Sequence, residues 1–365
     1  MTKKTKRILF VITGLGMGGA ENQVVNLADN LQYRGYSVTI AYILEPSIVL
    51  PKNNNVKVIF LHGEKSIKGI FKAYINLVKL INNIRPNIVH SNMYHANIIS
   101  RLAKLFSKIP KLICTAHSNN EGGIFRMVTY RITNFLGDVF TNVSEKAVSE
   151  FESKKAVSKN TMLAMHNGID TNKFIFNQES RNILRKELKI ENKKVFISIG
   201  RFDEAKDYPN LLNAFSIVYK KYKDIHLLIV GDGSLRVTIE SMIINLNIEE
   251  SVTLLGIRKD VEKLLSASDI FVLSSAWEGF GLVVAEAMAC ERIVVSTDCG
   301  GVSEVLGNCG FLLESRNSNL LAETMKKAYF LGQQEVYSLG KKAKQRILNK
   351  YSLDRVVDKW EIIYS

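Results

Sequence analysis

The chain has 365 residues, a length that suits two domains of ordinary size better than one compact core. Hydrophobic residues make up 46% and charged residues 23%, close to the average of soluble globular proteins, which excludes intrinsic disorder. The net charge of +14 sits in the first half, where residues 1–165 hold 22 Lys/Arg against 9 Asp/Glu while residues 166–365 hold 27 against 26; this points to an anionic membrane surface, to nucleic acid, or simply to a lysine-rich composition.

Met1–Arg7 is basic, but the apolar run behind it, Ile8–Thr13, ends at Gly14 without a small-residue cleavage site, so it reads as a first strand and not as a signal peptide. Gly14, Gly16 and Gly19 then match G-x-G-x-x-G. A dinucleotide site on that loop expects an acidic residue ending the second strand, and Glu45, 26 residues beyond Gly19, is somewhat far along for it. A turn that allows close strand-to-helix packing, and a loop lining a substrate cleft, are the other readings. A helical pattern follows over Ala20–Arg34, then strands at Val38–Leu44 and Val56–Leu61, a helix over Ile70–Ile84, and strands at Ile88–Ser91, Leu112–His117 and Val139–Ser144. His117 ends an apolar strand, where ligand sites of such sheets lie. Ser144 is a weaker candidate of the same kind, and Asn167-Gly168-Ile169-Asp170 brings further polar residues before the chain turns polar around Thr171–Lys194.

The cycle restarts with strands at Val195–Gly200, His226–Val230, Val252–Leu255, Ile270–Ser275 and Ile293–Thr297. Arg201 and Lys206 flank the loop after the first of these, a placement suited to neutralising a diphosphate. Gly231-Asp232-Gly233 and Gly256 read as tight turns near a nucleobase. After Ile270–Ser275, Glu278 stands in a glycine-rich turn and Glu286 about one turn inside the following helix, so that two carboxylates can grip separate hydroxyl groups of one ligand. Gly279 and Gly281 allow backbone N–H groups to approach it, and the helix N-terminus favours its phosphates. A final helix, Leu353–Tyr364, is apolar at Val356, Val357, Trp360, Ile362 and Ile363, a pattern that packs back on the first domain. The alternation predicts an α/β fold of two Rossmann-like domains with parallel sheets: residues 1–172 with the C-terminal helix of about 351–365, and residues 173–350. Cys114, Cys290, Cys299 and Cys309 form no C-x-x-C pair, which fits a reducing cytoplasm, and no stretch reaches 18 uninterrupted apolar residues.

GGAE at Gly18–Glu21, TAH at Thr115–His117, NGID at Asn167–Asp170, GR with a lysine five residues later at Gly200–Lys206, GDG at Gly231–Gly233 and EGFGLVVAEA at Glu278–Ala287 occur in one order along nearly the whole chain. In this the sequence resembles the family-4 glycosyltransferases of GT-B fold. The resemblance implies two facing Rossmann-like domains with a deep interdomain cleft, the first binding the acceptor and the second the nucleotide sugar. It implies that Arg201 and Lys206 bind the donor diphosphate, that Glu286 holds the ribose hydroxyls, and that Glu278 with the amides of Phe280, Gly281 and Leu282 binds the transferred sugar and phosphate. Gly231 joins the donor side. His117 approaches the donor sugar and β-phosphate, Gly16 and Gly18 lie at the acceptor and phosphate side, and Glu21 orders that loop; Ser144 and Asn167 are placed on the acceptor side. Retention of configuration, no cofactor and no metal follow from the same likeness, in keeping with the absence of any Asp-x-Asp. The implied partners are a nucleotide-sugar donor, UDP-linked by preference, and a glycan or polyprenyl-diphosphate-linked saccharide acceptor in surface polysaccharide synthesis. The basic first half would place the enzyme against the inner face of the cytoplasmic membrane.

Three rivals make different expectations. An NAD-dependent oxidoreductase built on Gly14–Gly19 leaves Glu278 and Glu286 without a task. A nucleotide-sugar epimerase would need no acceptor. A basic nucleic-acid-binding protein would bind DNA or RNA in a strongly salt-dependent way, yet no nucleic-acid motif is present, so no nucleic-acid partner is expected.

Overall fold

The structure is a computed structural model that describes residues 5–118 and 121–365; the basic Met1–Lys4 thus lies outside the described residues. The chain divides into two units, Met1–Gly168 with Leu353–Ser365, and Ile169–Ser352.

The first unit runs β1 (Arg7–Leu15), α1 (Gly19–Tyr33), β2 (Ser37–Ser47), β3 (Lys57–Phe60), α2 (Ile67–Ile84), β4 (Ile88–Asn92), α3 (Tyr94–Ala103), β5 (Lys111–Ala116), α4 (Ile124–Thr133), β6 (Val139–Asn142), α5 (Glu145–Ser153) and β7 (Met162–Ala164). All seven strands are parallel in the order β3-β2-β1-β4-β5-β6-β7. Side chains of a strand alternate between faces, and β1 shows the consequence: Ile8, Phe10 and Ile12 join one core while Leu9 and Val11 join the other. A strand covered on both faces reads as a continuous apolar run, which is why β1 is legible in the sequence.

The second unit runs α6 (Gln178–Glu187), β8 (Lys194–Ile199), α7 (Tyr208–Lys221), β9 (Ile225–Val230), α8 (Arg236–Asn245), β10 (Val252–Leu254), α9 (Val261–Ala267), β11 (Ile270–Leu273), α10 (Leu282–Ala289), β12 (Ile293–Thr297), α11 (Val302–Leu306), β13 (Phe311–Leu313), α12 (Ser318–Tyr329) and α13 (Gln333–Lys350). Its six parallel strands lie in the order β10-β9-β8-β11-β12-β13 around a core that includes Phe196, Phe215, Leu227 and Val272.

The last helix, α14 (Leu353–Tyr364), belongs to the first unit. Leu353, Val356, Val357, Trp360 and Tyr364 complete the same core as Ile8 and Phe10. Polar contacts fix its seat. Arg34 pairs with Asp358 at 2.6 Å and Glu361 at 2.5 Å, and the buried His90 of β4 bridges the Tyr364 hydroxyl and Thr115 Oγ1, each at 2.7 Å. Burial pushes the His90 imidazole down to about 3, so it stays neutral. Among the described residues no helix is long and apolar enough to cross a membrane.

Candidate active site

In an open parallel sheet, ligands bind at the carboxyl ends of the strands beside the place where the strand order reverses. In the first unit that place lies between β1 and β4. The β1–α1 loop brings Gly16 and Gly18 there. A Cβ on Gly18 would fall 2.4 Å from Glu21 Oε2, so the Glu21 carboxylate, in the first turn of α1, lies back over its own loop.

His117 follows β5 directly and is held from two sides. Its N–H donates to Glu121 Oε1 at 3.1 Å, and its Nε2 is 3.0 Å from Asn92 Oδ1 at the end of β4. Asn92 is itself oriented by its amide nitrogen, which donates to the His90 carbonyl at 3.0 Å. With Asn92 Oδ1 as acceptor, Nε2 carries the ring proton and Nδ1 is left with a lone pair. Nδ1 is buried and has no hydrogen-bond partner in the described structure, so the ring offers one fixed acceptor suited to a hydroxyl group. Burial pushes the imidazole down to about 4, which keeps it neutral at ordinary pH. An NMR titration of the His117 ring is expected to show its midpoint near 4; a midpoint above 6 would mean that the ring is solvated and free to carry charge.

The fully buried Ser144 caps α5, its hydroxyl accepting from Ala147 N–H at 3.2 Å. Asn167 is buried after β7, next to Gly168, whose N–H donates to Gln23 Oε1 at 3.0 Å.

In the second unit the strand order reverses between β8 and β11, and the loops after both converge. Lys206, in a short 3₁₀ turn Glu204–Lys206, places Nζ 2.5 Å from Glu278 Oε1. Ser275 Oγ donates to the same oxygen at 2.8 Å, and Ser274 Oγ fixes the Lys206 carbonyl at 2.8 Å. The pair is largely buried, with side-chain exposures of 18% and 13%. Arg201 is different: its side chain is 75% exposed and contacts Asp203 at 3.3 Å. The two cations flank one loop, but one is clamped and the other reaches into solvent. An open cavity of about 410 Å³ runs along Arg201, Asp203, Ser234 and Trp277.

Two glycines are obligatory here. Gly231 after β9 has φ +142°, and a Cβ on it would lie 1.9 Å from the Gly200 carbonyl oxygen. Gly281, at φ +84°, turns the Glu278 loop into α10. The first-turn amides of a helix have no acceptor within it, so the start of α10 at Leu282 presents donors at this edge. The Phe280 side chain is buried against Tyr351, with ring centroids 5.6 Å apart. Glu286 lies one turn into α10, partly buried, and its carboxylate has no hydrogen bond within the described residues. Burial pushes this carboxyl up to about 8, with Lys173 opposing and Glu262 adding to the shift.

The sequence motifs did not disclose the residues that hold these groups: Asn92 and Glu121 at His117, Ser275 at Glu278, and Gly300, whose missing side chain lets the Glu278 carbonyl lie where a Cβ would be 1.8 Å away. A Cys-Gly-Gly sequence after β12 was the one available signal for the last. Among the described residues, no group of three or more His, Cys, Asp or Glu side chains is placed to hold a metal ion.

Comparison with known proteins agrees with this division. Residues 179–346 match the model of the glycosyl transferases group 1, and residues 17–173 that of glycosyltransferase family 4. N-acetyl-alpha-D-glucosaminyl L-malate synthase of Bacillus anthracis is 30% identical over 287 residues, 76% of this chain and 73% of the relative. A Campylobacter jejuni enzyme named as an N-acetylgalactosamine-N,N'-diacetylbacillosaminyl-diphospho-undecaprenol 4-alpha-N-acetylgalactosaminyltransferase is 26% identical over 341 residues, 88% of this chain and 89% of that one. Among solved structures, Anabaena HepE in complex with UDP and glucose superposes with a TM-score of 0.88 at 19% identity, covering 98% of this chain and 99% of that one.

Proposed function

Because the chain belongs to the family-4, group 1 glycosyltransferases and has their GT-B fold of two Rossmann-like units, we propose that it moves a hexose or N-acetylhexosamine, with retention, from a UDP-sugar to a glycan or polyprenyl-diphosphate-linked saccharide in surface polysaccharide biosynthesis. The observation that carries this reading is the convergence of Lys206, Glu278, the start of α10 and Glu286 at the carboxyl edge of the second sheet. Lys206 and Arg201 take the diphosphate, the amides of Phe280, Gly281 and Leu282 take its oxygens and the adjoining sugar, and Glu286 accepts from the ribose hydroxyls. The Gly231 turn lies toward the nucleobase. In the first unit, His117 Nδ1 accepts from a hydroxyl of the transferred sugar, while Gly16, Gly18 and Glu21 shape the acceptor side.

Departure of UDP breaks the bond between the anomeric carbon and the phosphate oxygen, leaving negative charge on the leaving group and cationic character on the sugar. Fixed cations and amide donors stabilise the first. The acceptor oxygen attacks the same face, and its proton passes to the departing phosphate, so no enzyme nucleophile is assigned. With Lys206 and Arg201 beside the leaving group, no metal is required.

The relatives support the substrates: HepE was solved with UDP and glucose, and an Escherichia coli relative is named a UDP-Gal:alpha-D-GlcNAc-diphosphoundecaprenol alpha-1,3-galactosyltransferase. A lipid-borne acceptor and the basic first half support a peripheral position on the inner face of the cytoplasmic membrane. Neither an NAD-dependent oxidoreductase nor an epimerase finds support among these relatives, and the Glu45 carboxylate already accepts from the Tyr42 hydroxyl at 2.8 Å.

The test is nucleotide-diphosphate release by the purified chain in EDTA across UDP-, GDP- and ADP-sugars, with and without candidate lipid-linked acceptors. Release from UDP-sugars alone that vanishes in Glu286→Ala is expected. A requirement for added divalent cation would refute the metal-free mechanism, and binding of NAD without binding of UDP would overturn the assignment.

A further inference from the structure

Beside the cavity at Arg201 the second unit carries a larger one of about 550 Å³, between the first turns of α7 and the connection from β13 to α12. Its volume is that of a small-ligand site, and none of its polar groups has a task in binding the donor. One wall is common to both cavities, since Trp277, Glu204 and Leu235 line each of them. Ala276 N–H donates to the Ala205 carbonyl at 2.8 Å, which ties the tryptophan loop to the Glu204–Lys206 turn and fixes that wall. Arg316 enters from the opposite side at φ +61°, a left-handed backbone that a residue with a side chain seldom keeps.

Asn210 points to a ligand. It is only 7% exposed, and its amide Nδ2 is buried without an acceptor. A buried donor left unpaired costs free energy, and the cavity that Asn210 lines is where an acceptor can reach it. Nearby, the half-buried Asp207 caps α7, while the side chains of Glu204, Asn213 and Arg316 make no hydrogen bond or ion pair among the described residues. Amides that both donate and accept, set beside carboxylates and a guanidinium, match hydroxyl groups on adjacent carbons, each of which is donor and acceptor at once. Trp277, 39% exposed, offers the face of an indole ring, whose negative charge suits the C–H face of a sugar. Two carboxylates against one guanidinium oppose a phosphate or a nucleotide, so the chemistry selects a neutral saccharide.

We propose that this cavity is a saccharide subsite, stacking a neutral sugar on Trp277 and bonding its hydroxyls to Asn210, Asn213 and Glu204, and that its occupant is the outer part of a glycan acceptor. The proposal rests on the reading that the acceptor is a glycan, and it gives the second unit a part in recognising sugars beyond the one that is glycosylated.

The experiment is titration of the full chain with lactose, maltotriose and di-N-acetylchitobiose, followed by the quenching of tryptophan emission with acrylamide, alongside calorimetric UDP binding to the same preparations. The chain has two tryptophans and Trp360 is buried in the core of the first unit, so protection from the quencher reports Trp277. At least one saccharide is expected to protect it saturably, with UDP present or absent. Asn210→Leu, which keeps the volume and deletes the amide, should weaken that binding about tenfold and melt no lower than wild type, because Nδ2 has no partner to lose. Asn213→Ala/Arg316→Gln should weaken it to a similar degree, and both variants should keep wild-type affinity for UDP. Absence of protection by all three saccharides, variants that bind them as well as wild type does, or UDP that displaces the saccharide would each overturn the subsite. In transfer assays, a saccharide that competes with the acceptor supports the acceptor role, and one that stimulates turnover without competing overturns it. Loss of UDP binding in the wild type would instead sink the donor assignment and leave the saccharide titration standing.

Discussion

Lys206→Met is expected to lower kcat by about 10² to 10³, the range seen when one preorganised stabiliser of developing charge is removed, and to destabilise the second unit at the same time. The second effect follows from geometry: Glu278 is largely buried and its Oε1 keeps only the Ser275 hydroxyl once the ammonium is gone. Breaking a buried pair by deleting one partner costs about 3 kcal/mol, chiefly from the charge left behind. Adding Glu278→Gln should therefore restore most of the melting temperature without restoring turnover. The Glu278→Gln single variant supplies the reference for the double variant, because Glu278 itself faces the transferred sugar. Kinetics and thermal unfolding on the two single variants and the double variant are sufficient, and recovery of kcat in the double variant would rule out a role for Lys206 in stabilising the leaving group.

Glu286→Gln is expected to weaken UDP binding by about 30-fold, since two hydrogen bonds to a carboxylate become bonds to a neutral amide oxygen at a loss of about 1 kcal/mol each, and yet to make the free protein more stable at alkaline pH. The sign follows from the titration. An unperturbed glutamate titrates near 4.5 and this one near 8. Between those values the folded chain holds the extra proton, so the stability linked to Glu286 is full below 4.5 and is lost as pH rises to about 8. Removing the titration with glutamine should leave melting at pH 4.5 unchanged and raise it at pH 8 by about 4 °C, after discounting the burial effect for the solvent that reaches the carboxylate. Wild-type affinity for UDP should also rise with pH up to about 8, because the ionised form is the better acceptor for the ribose hydroxyls, while the glutamine variant stays flat. Calorimetric titration with UDP at pH 6, 7 and 8 checks this, and a pH-independent wild type would show that Glu286 does not contact the nucleotide.

The strands that the sequence discloses are those covered on both faces, such as β1 and β8, whose apolar runs are uninterrupted. The two it does not disclose, β7 and β13, have three residues each and sit at sheet edges, where half-exposed positions such as Leu163 and Leu312 blur the pattern. The polar residues at strand ends were legible for a similar reason: Glu278 and Glu286 interrupt apolar surroundings at positions where a fold alone would not place a charge. Their environment was not legible. Whether a cation is clamped like Lys206 or loose like Arg201, and whether a hydroxyl is free or capping like that of Ser144, depends on partners 72 residues away or three residues away that local pattern does not rank. The partners of His117 come from β4 and from the loop before α4, which parallel crossover connections bring together only in three dimensions.

The chain leaves the first unit at Gly168 and returns to it at Leu353, and this ordering has a consequence for biosynthesis. The ribosome must complete the whole second unit before α14 exists, so the first unit waits with the surface meant for Val357, Trp360 and Tyr364 uncovered and His90 lacking one of its two partners. A nascent chain thus carries an unfinished hydrophobic face through some 180 residues of translation. A nonsense codon anywhere in the second unit would strip that cover from the first as well, so a truncated product would be an aggregation-prone species and a natural client for chaperones, not a lone acceptor-binding domain.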